Sequence, residues 1–159
     1  MSTAQQHPPL VHTVRIRPAD TDHQGIVHAS KYAAFFEAAF IEALREIAGS
    51  LEALGRHGVD LVMAEITIRY RSPARFDDLL DVAVLLRHIG TTSLVIDYRG
   101  TVNGRDVVLA SARYVAFTSG LTKTAIPGPL RATLERIPRA PDDVQQAVSS
   151  PPTRSTLPG

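Results

Sequence analysis

The stretch Pro18–Ile47 constrains the fold more than any other part of the chain. It opens as P-A-D-T-D-H-Q-G-I-V, a polar run in which Asp20, Asp22 and His23 crowd together before Gly25. It then takes on helical period. With Tyr32 as reference and about 100° per residue, Ala33, Phe36, Ala39, Phe40, Ala43, Leu44 and Ile47 share one sector, while Lys31, Ile41, Glu42 and Arg45 fall largely opposite. This predicts an amphipathic helix from about Ala29 to Ala48, long enough to cross a small domain. Its inner face is aromatic and alanine-rich, and small residues let a helix approach a sheet closely.

The remainder of the chain supplies that sheet. Leu10–Arg17 alternates as a strand does, and Pro18, which cannot donate to a ladder, ends it. Gly49, Gly55 and Gly58 punctuate a short helical or irregular piece after the long helix. Four strand-like runs follow: Val59–Arg71, Asp81–Ile89, Ser93–Val102 and Arg105–Thr118. Ser72-Pro73 and Gly90-Thr91 separate the first three, and Asn103-Gly104 is the strongest hairpin signal in the sequence. One strand, one long helix and four more strands make an α+β chain, with an antiparallel five-stranded sheet whose only large apolar partner is the helix. After Ser119, Leu130–Ile137 reads as a short helix. The expected organisation is a disordered lead over 1–9, a folded domain over 10–137, and a disordered tail over 138–159, where Pro, Ser, Thr and Gln dominate.

Composition narrows the function classes. A chain of 159 residues is expected to form one domain with a proper core. The formal net charge of +1 gives no broad attraction to nucleic acid or anionic membrane. With no cysteine, disulfides, thiolate catalysis and cysteine-ligated zinc are excluded. The first residues form neither a basic nor an apolar leader and no apolar run spans a bilayer, so a cytoplasmic protein without membrane insertion is expected. No nucleophile elbow, Walker loop or dinucleotide-binding glycine fingerprint is present.

The run D-T-D-H-Q-G-I-V-H-A-S-K-Y-A-A-F-F-E resembles, without a gap, the opening motif of the hotdog-fold thioesterases of the 4-hydroxybenzoyl-CoA and YbgC-like acyl-CoA type. Those proteins carry D-x-D-x-x-G-(I/V)-V, a few variable residues, Tyr, and then F/W-x-E-x-A along a central helix. The likeness extends over roughly Leu10–Ile137. It includes R-S-P-A-R-F-D-D, similar to a strand-end motif in which Asp78 ties a turn. The resemblance implies the hotdog fold, with the sheet wrapped around the long helix. It also implies an acyl thioester hydrolase acting on acyl-CoA or acyl carrier protein, at least dimeric and often tetrameric, with no cofactor.

Carried over position by position, the resemblance makes Asp22 the catalytic carboxylate, as nucleophile or as general base on water. It makes the backbone N–H of Ala29 the oxyanion donor, with His28 beside it. The residues themselves allow this chemistry. The first helical turn has unpaired N–H groups and the positive end of the helix dipole, and a carboxylate stands a few residues upstream. Asp20 reads instead as a structural residue that shapes the loop. His23, Gly25, Tyr32, Phe36, Glu37, Thr92 and Ser93 are the expected substrate contacts; Glu37 lies at the border of the apolar sector. The spacing of Asp20, Asp22, His23 and His28 fits no standard zinc pattern, so no metal is expected. Related enzymes hold a basic cluster for the coenzyme A phosphates just before the fourth strand, where this chain has Gly90-Thr91-Thr92. Two alternatives stand beside hydrolysis: a hotdog dehydratase pairing His23 or His28 with Glu37, and a non-catalytic acyl-binding protein.

Overall fold

The computed structural model describes residues 9–150. The strands are β1 (Val11–Arg15), β2 (Val59–Tyr70), β3 (Leu79–Ile89), β4 (Ser93–Val102) and β5 (Arg105–Thr118). The helices are α1 (Lys31–Ala48), α2 (Leu51–Gly55), α3 (Gly128–Leu134) and α4 (Asp142–Ser149). The strands form one five-stranded sheet in the order β1-β3-β4-β5-β2, with every neighbouring pair antiparallel. This is the curled α+β sheet of the hotdog fold, and α1 lies across its inner face. The helix starts two residues later than the periodicity suggested, and its 18 residues span about 27 Å.

The pattern of apolar residues explains how α1 is seated. Its buried residues are Tyr32, Phe35, Phe36, Ala39, Phe40, Ala43, Leu44 and Ile47. Ala33, expected inside, is only half-buried, and Phe35 takes the inner position instead. The sheet answers with Leu80, Val82, Val84 and Leu86 on β3, and Leu94, Ile96 and Tyr98 on β4, spaced by two as one face of a strand requires. Phe36 stacks on Tyr98 at 4.9 Å and Phe40 lies 4.2 Å from Tyr114. Gly49 ends the helix in the left-handed conformation that glycine tolerates best. The Asn103-Gly104 hairpin is present, with φ of 50° and 76° at the two positions, as a two-residue turn of this hand needs.

Residues 138–150 correct the expectation of a disordered tail. Where β1 stops, the free edge of β3 is taken up by this segment: the Leu86 N–H donates to Pro138 O at 2.7 Å and the Ala140 N–H to Leu86 O at 2.9 Å. Helix α4 then covers the outer face of the sheet and buries Val144 and Val148. Three arginines from the sheet cap its C-terminal carbonyls. Arg69 donates to Val148 O, Arg71 to Ala147 O, and Arg87 to Gln145 O. Cations at the C-terminal end of a helix also complement its dipole. Arg87 is the unpaired residue of a bulge in β3, between Leu86 and His88. That bulge aims its guanidinium at Asp97, whose two carboxylate oxygens accept from Nε at 3.0 and 2.9 Å. The remaining parts of the expected lead and tail, 1–8 and 151–159, lie outside the described residues.

Asp97 is fully buried while its arginine is 21% exposed, so removing the acid strands a guanidinium under α4. Asp97→Ala is expected to cost about 3–5 kcal/mol. In thermal unfolding that is a fall of roughly 10 °C for a domain of this size. Limited proteolysis should then cut within 138–150 sooner than in the unmodified protein.

Candidate active site

The polar loop between β1 and α1 folds back on itself as a small hairpin. The Asp22 N–H donates to Ile26 O at 2.8 Å, Thr21 bridges Val27, and the His28 N–H donates to Asp20 O at 2.9 Å. Gly25 makes the turn possible with φ of 77°. The hairpin is fastened to the β2–β3 connection by the Val27 N–H to Ala74 O, 2.9 Å, and by a bridge between Ile26 and Arg75.

The two loop carboxylates have different surroundings. Asp20 is buried, and its Oδ2 accepts from the Arg17 N–H at 2.8 Å and from Arg17 Nε at 3.4 Å. Burial alone would raise its pKa, but those two hydrogen bonds and the arginine charge outweigh it and hold the carboxyl below its ordinary 3.8. Asp22 is half-buried. Its Oδ1 accepts from the N–H groups of Gln24 at 2.8 Å and Ile26 at 3.4 Å, while Oδ2 has no partner among the described residues.

The start of α1 is left open. Ser30 occupies the cap position without a side-chain cap bond, and the first turn carries no acidic residue. The His28 N–H is spent on Asp20 O, whereas the Ala29 N–H has no partner among the described residues. The two adjacent N–H groups are therefore not equivalent, and only that of Ala29 is available to a ligand. The Ala29 carbonyl accepts from Tyr70 Oη at 3.0 Å, which braces the helix start from β2. Tyr70, whose ring lies edge-on to Tyr32 at 5.7 Å, went unnoticed in the sequence because it reads simply as the last alternating residue of a strand. The imidazoles of His23 and His28 are exposed beside this loop.

Of the expected substrate contacts, Tyr32 and Phe36 are 3% and 0% exposed and belong to the core. Burial pushes the Tyr32 phenol up to about 12. Thr92 and Ser93 form the β3–β4 turn, and Ser93 pairs with Val115. The Asp22 loop sits beyond the other end of the sheet, where Tyr70 pairs with Val108. Seven residues of β5 separate these levels, roughly 23 Å, so one chain does not bring Thr92 and Ser93 to Asp22.

Glu37 does meet a cavity, of about 440 Å³, between α1, α2 and the beginning of β2. Phe40, Leu44, Leu54, Met63 and Tyr114 share its wall. Glu37 is exposed, and its carboxylate lies close enough to influence two buried phenols, Tyr98 and Tyr114. Their hydroxyls hydrogen-bond to each other at 2.5 Å. Burial drives both phenols upward, that of Tyr114 to about 12, and the nearby Glu37 charge acts in the same direction. Among the described residues no group of three potential metal ligands comes together. Nor is any helix there long and apolar enough to cross a membrane.

Comparison with known proteins agrees with this layout. Residues 24–109 match the model of the thioesterase superfamily. The chain is 37% identical over 99 residues to the acyl-CoA thioester hydrolase YbgC of Escherichia coli O157:H7, covering 62% of this chain and 73% of that protein. Its structure superposes on the hypothetical protein TT1821 of Thermus thermophilus with a TM-score of 0.74 at 25% identity, covering 82% of this chain and 98% of that one. The 1,4-dihydroxy-2-naphthoyl-CoA thioesterase Slr0204 of Synechocystis has the same fold, with a TM-score of 0.69 at 17% identity, covering 80% and 96%. The family match spans more than half of the sequence and includes the long helix, the cavity-lining strand and the central sheet: the chain belongs to the thioesterase superfamily and is a thioesterase.

Proposed function

We propose that this thioesterase hydrolyses acyl-CoA to a free acid and coenzyme A, with Asp22 as the reacting carboxylate and the Ala29 N–H as oxyanion donor. One observation carries the reading. The hairpin spends the His28 N–H and one oxygen of Asp22 on the backbone, and it leaves the other Asp22 oxygen and the Ala29 N–H without a partner among the described residues. A thioester carbonyl placed between them has an anionic group on one side and an N–H donor at the positive end of a helix on the other.

The chemistry follows from those two groups. As a base, Asp22 takes the proton of a water that attacks the carbonyl carbon. As a nucleophile, it attacks the carbon itself and water releases the acid afterwards. In either role negative charge builds on the carbonyl oxygen. A single oxyanion donor of this kind is typically worth about 2.7–4 kcal/mol in the transition state. The intermediate then collapses, the carbon–sulfur bond breaks, and the thiolate leaves and is protonated. Coenzyme A is preferred as the acyl carrier because the 37% identical relative is an acyl-CoA thioester hydrolase. The cavity walled by Phe40, Leu44 and Tyr114 has the size of small-molecule sites, but at the Tyr114 level of β5 it lies roughly 20 Å from the end of the sheet where the Asp22 loop sits. The working unit in this reading is a homodimer or homotetramer. The long edge strand β2 supports it, with Val62 44% exposed beside Ile41 at the cavity rim.

Thiol release from a panel of acyl-CoAs tests the assignment. Asp22→Asn is expected to lower turnover roughly tenfold or more. The asparagine Oδ1 still accepts from Gln24 and Ile26, so the melting temperature should stay nearly constant; equal turnover in the two proteins would refute the role. Release from acyl carrier protein but not from acyl-CoA would overturn the choice of carrier alone.

Asp20→Asn should behave in the opposite way. A carboxyl whose pKa is depressed in the folded protein adds stability above its unfolded value and loses it as the pH falls through the folded one. The variant is therefore expected to melt below the unmodified protein at pH 7, and the gap should close as the pH drops beneath 3.8.

A further inference from the structure

Tyr70 is the last residue of β2, and its side chain reaches the start of α1. Its Oη donates to Ala29 O at 3.0 Å. Ala29 precedes the helix, and the tyrosine is the one hydrogen-bond partner of its carbonyl among the described residues. That carbonyl and the Ser30 N–H belong to one rigid peptide plane. The plane before it carries the Ala29 N–H and the His28 carbonyl, which accepts from the Lys31 N–H at 2.9 Å. The two planes meet at the Ala29 Cα. With the tyrosine in place both are tied. Without it the second plane is free to turn about that Cα. The turn bond from Lys31 to His28 reaches across the second plane, so such a rotation breaks it and swings the Ala29 N–H as well. Neither the Ala29 nor the Ser30 N–H has a partner of its own among the described residues to resist this.

The tyrosine is itself held from both faces of the sheet. Its ring lies edge-on to the buried Tyr32 at 5.7 Å. Its neighbours Arg69 and Arg71 point to the opposite face, where they donate to Val148 O at 2.6 Å and Ala147 O at 3.3 Å on α4. The Arg71 and Ser72 N–H groups both donate to Val107 O, at 2.8 and 3.2 Å. Yet Tyr70 is 54% exposed, so water serves the phenol and the carbonyl almost equally well and the bond adds little to stability. What such a bond fixes is direction. We infer that Tyr70 is a positioning residue for hydrolysis: its hydroxyl holds the Ala29–Ser30 peptide so that the Ala29 N–H keeps its aim at the thioester carbonyl. This deepens the proposed function and rests on its reading of that N–H as the oxyanion donor. A donor fixed beforehand needs no reorganisation as charge develops on the carbonyl oxygen.

The test removes the hydroxyl alone. Tyr70→Phe and Asp22→Asn are compared with the unmodified protein on the best acyl-CoA of the panel. The S-alkyl thioether of coenzyme A with the same chain length, which has no carbonyl, serves as a competitive inhibitor. Tyr70→Phe should lower kcat by about tenfold to a hundredfold. KM and the thioether inhibition constant should stay within about twofold, as for a contribution made only in the transition state. The melting temperature should fall by no more than about 4 °C. A fall in melting temperature with kcat unchanged would reduce the bond to a structural tie and overturn the inference. A rise in KM and in the thioether constant with kcat unchanged would make Tyr70 a substrate contact and overturn it too. If Asp22→Asn abolishes hydrolysis and Tyr70→Phe changes nothing, the proposed function stands and the inference is refuted. Nitrogen-15 relaxation gives a readout independent of turnover. The Ala29 and Ser30 N–H order parameters should be near 0.85 in the unmodified protein and drop toward 0.6 in Tyr70→Phe. Low values in the unmodified protein, or values unchanged in the variant, would overturn the inference. If no acyl-CoA is hydrolysed while the order parameters drop as expected, the tie is upheld and the proposed function falls.

Discussion

The close approach of α1 to the sheet is the contact on which the rest of the structure depends. It is set by Ala39 and Ala43 on the helix, and by Ala110, Ala112 and Ala116 on β5. Over these small residues two aromatic side chains of the helix, Phe36 and Phe40, come down onto Tyr98 and Tyr114. Gly100 belongs to the same arrangement: a Cβ there would come within 2.6 Å of Val108 Cγ1. Interiors packed at this density transmit changes of a single methyl group. A larger residue at Ala39 or Gly100 would therefore lift the helix or displace a strand rather than vanish into slack space.

Seating the helix also fixes its first turn, and with it the polar loop between β1 and α1. Asp20 and Asp22 stand two residues apart yet have different environments. The hairpin turns Asp20 inward, where Arg17 satisfies it, and leaves Asp22 half in solvent. A capped helix start would have been more stable, by typically about 1 kcal/mol. Ser30 stands at the right position but makes no cap bond. An open helix terminus that follows a loop carboxylate with one oxygen unpartnered among the described residues is poor for stability, and a departure from local consistency of this kind is expected at a functional site.

The sequence made the helix, the five strands and the Asn103-Gly104 hairpin legible because each rests on a local period or a two-residue turn code. The loop residues were legible through a motif with fixed spacing. Helix α4 was not, because Pro, Ser and Gln around it resemble a disordered tail, and the arginines that hold it lie more than fifty residues away. The usable signal was small: Pro141 before Asp142 and Asp143, then Val144 and Val148 four residues apart. The cavity was equally hidden. Leu54, Met63 and Leu130 come from three elements whose meeting no local pattern announces. The Tyr98–Tyr114 bond joins neighbouring strands at a separation of sixteen residues.

The two faces of the sheet solve the problem of buried polarity differently. On the outer face, Asp97 is paired with Arg87, and the same guanidinium reaches Ser149 Oγ at 2.9 Å and Gln145 O at 3.1 Å. A buried ion pair is weak evidence for net stability, since an apolar pair of the same shape often does as well. Its effect here is directional: with four hydrogen bonds to place, the guanidinium accepts only one register of α4 on the sheet. On the inner face there is no charge to balance, only two hydroxyls with one bond between them. The outer network consumes its donors internally and can serve only structure. The inner pair ties β4 to β5 directly beneath the helix, where Phe36 and Phe40 cover the same two rings, so a single bond between two phenols sets the seat of α1 without placing a charge in the core.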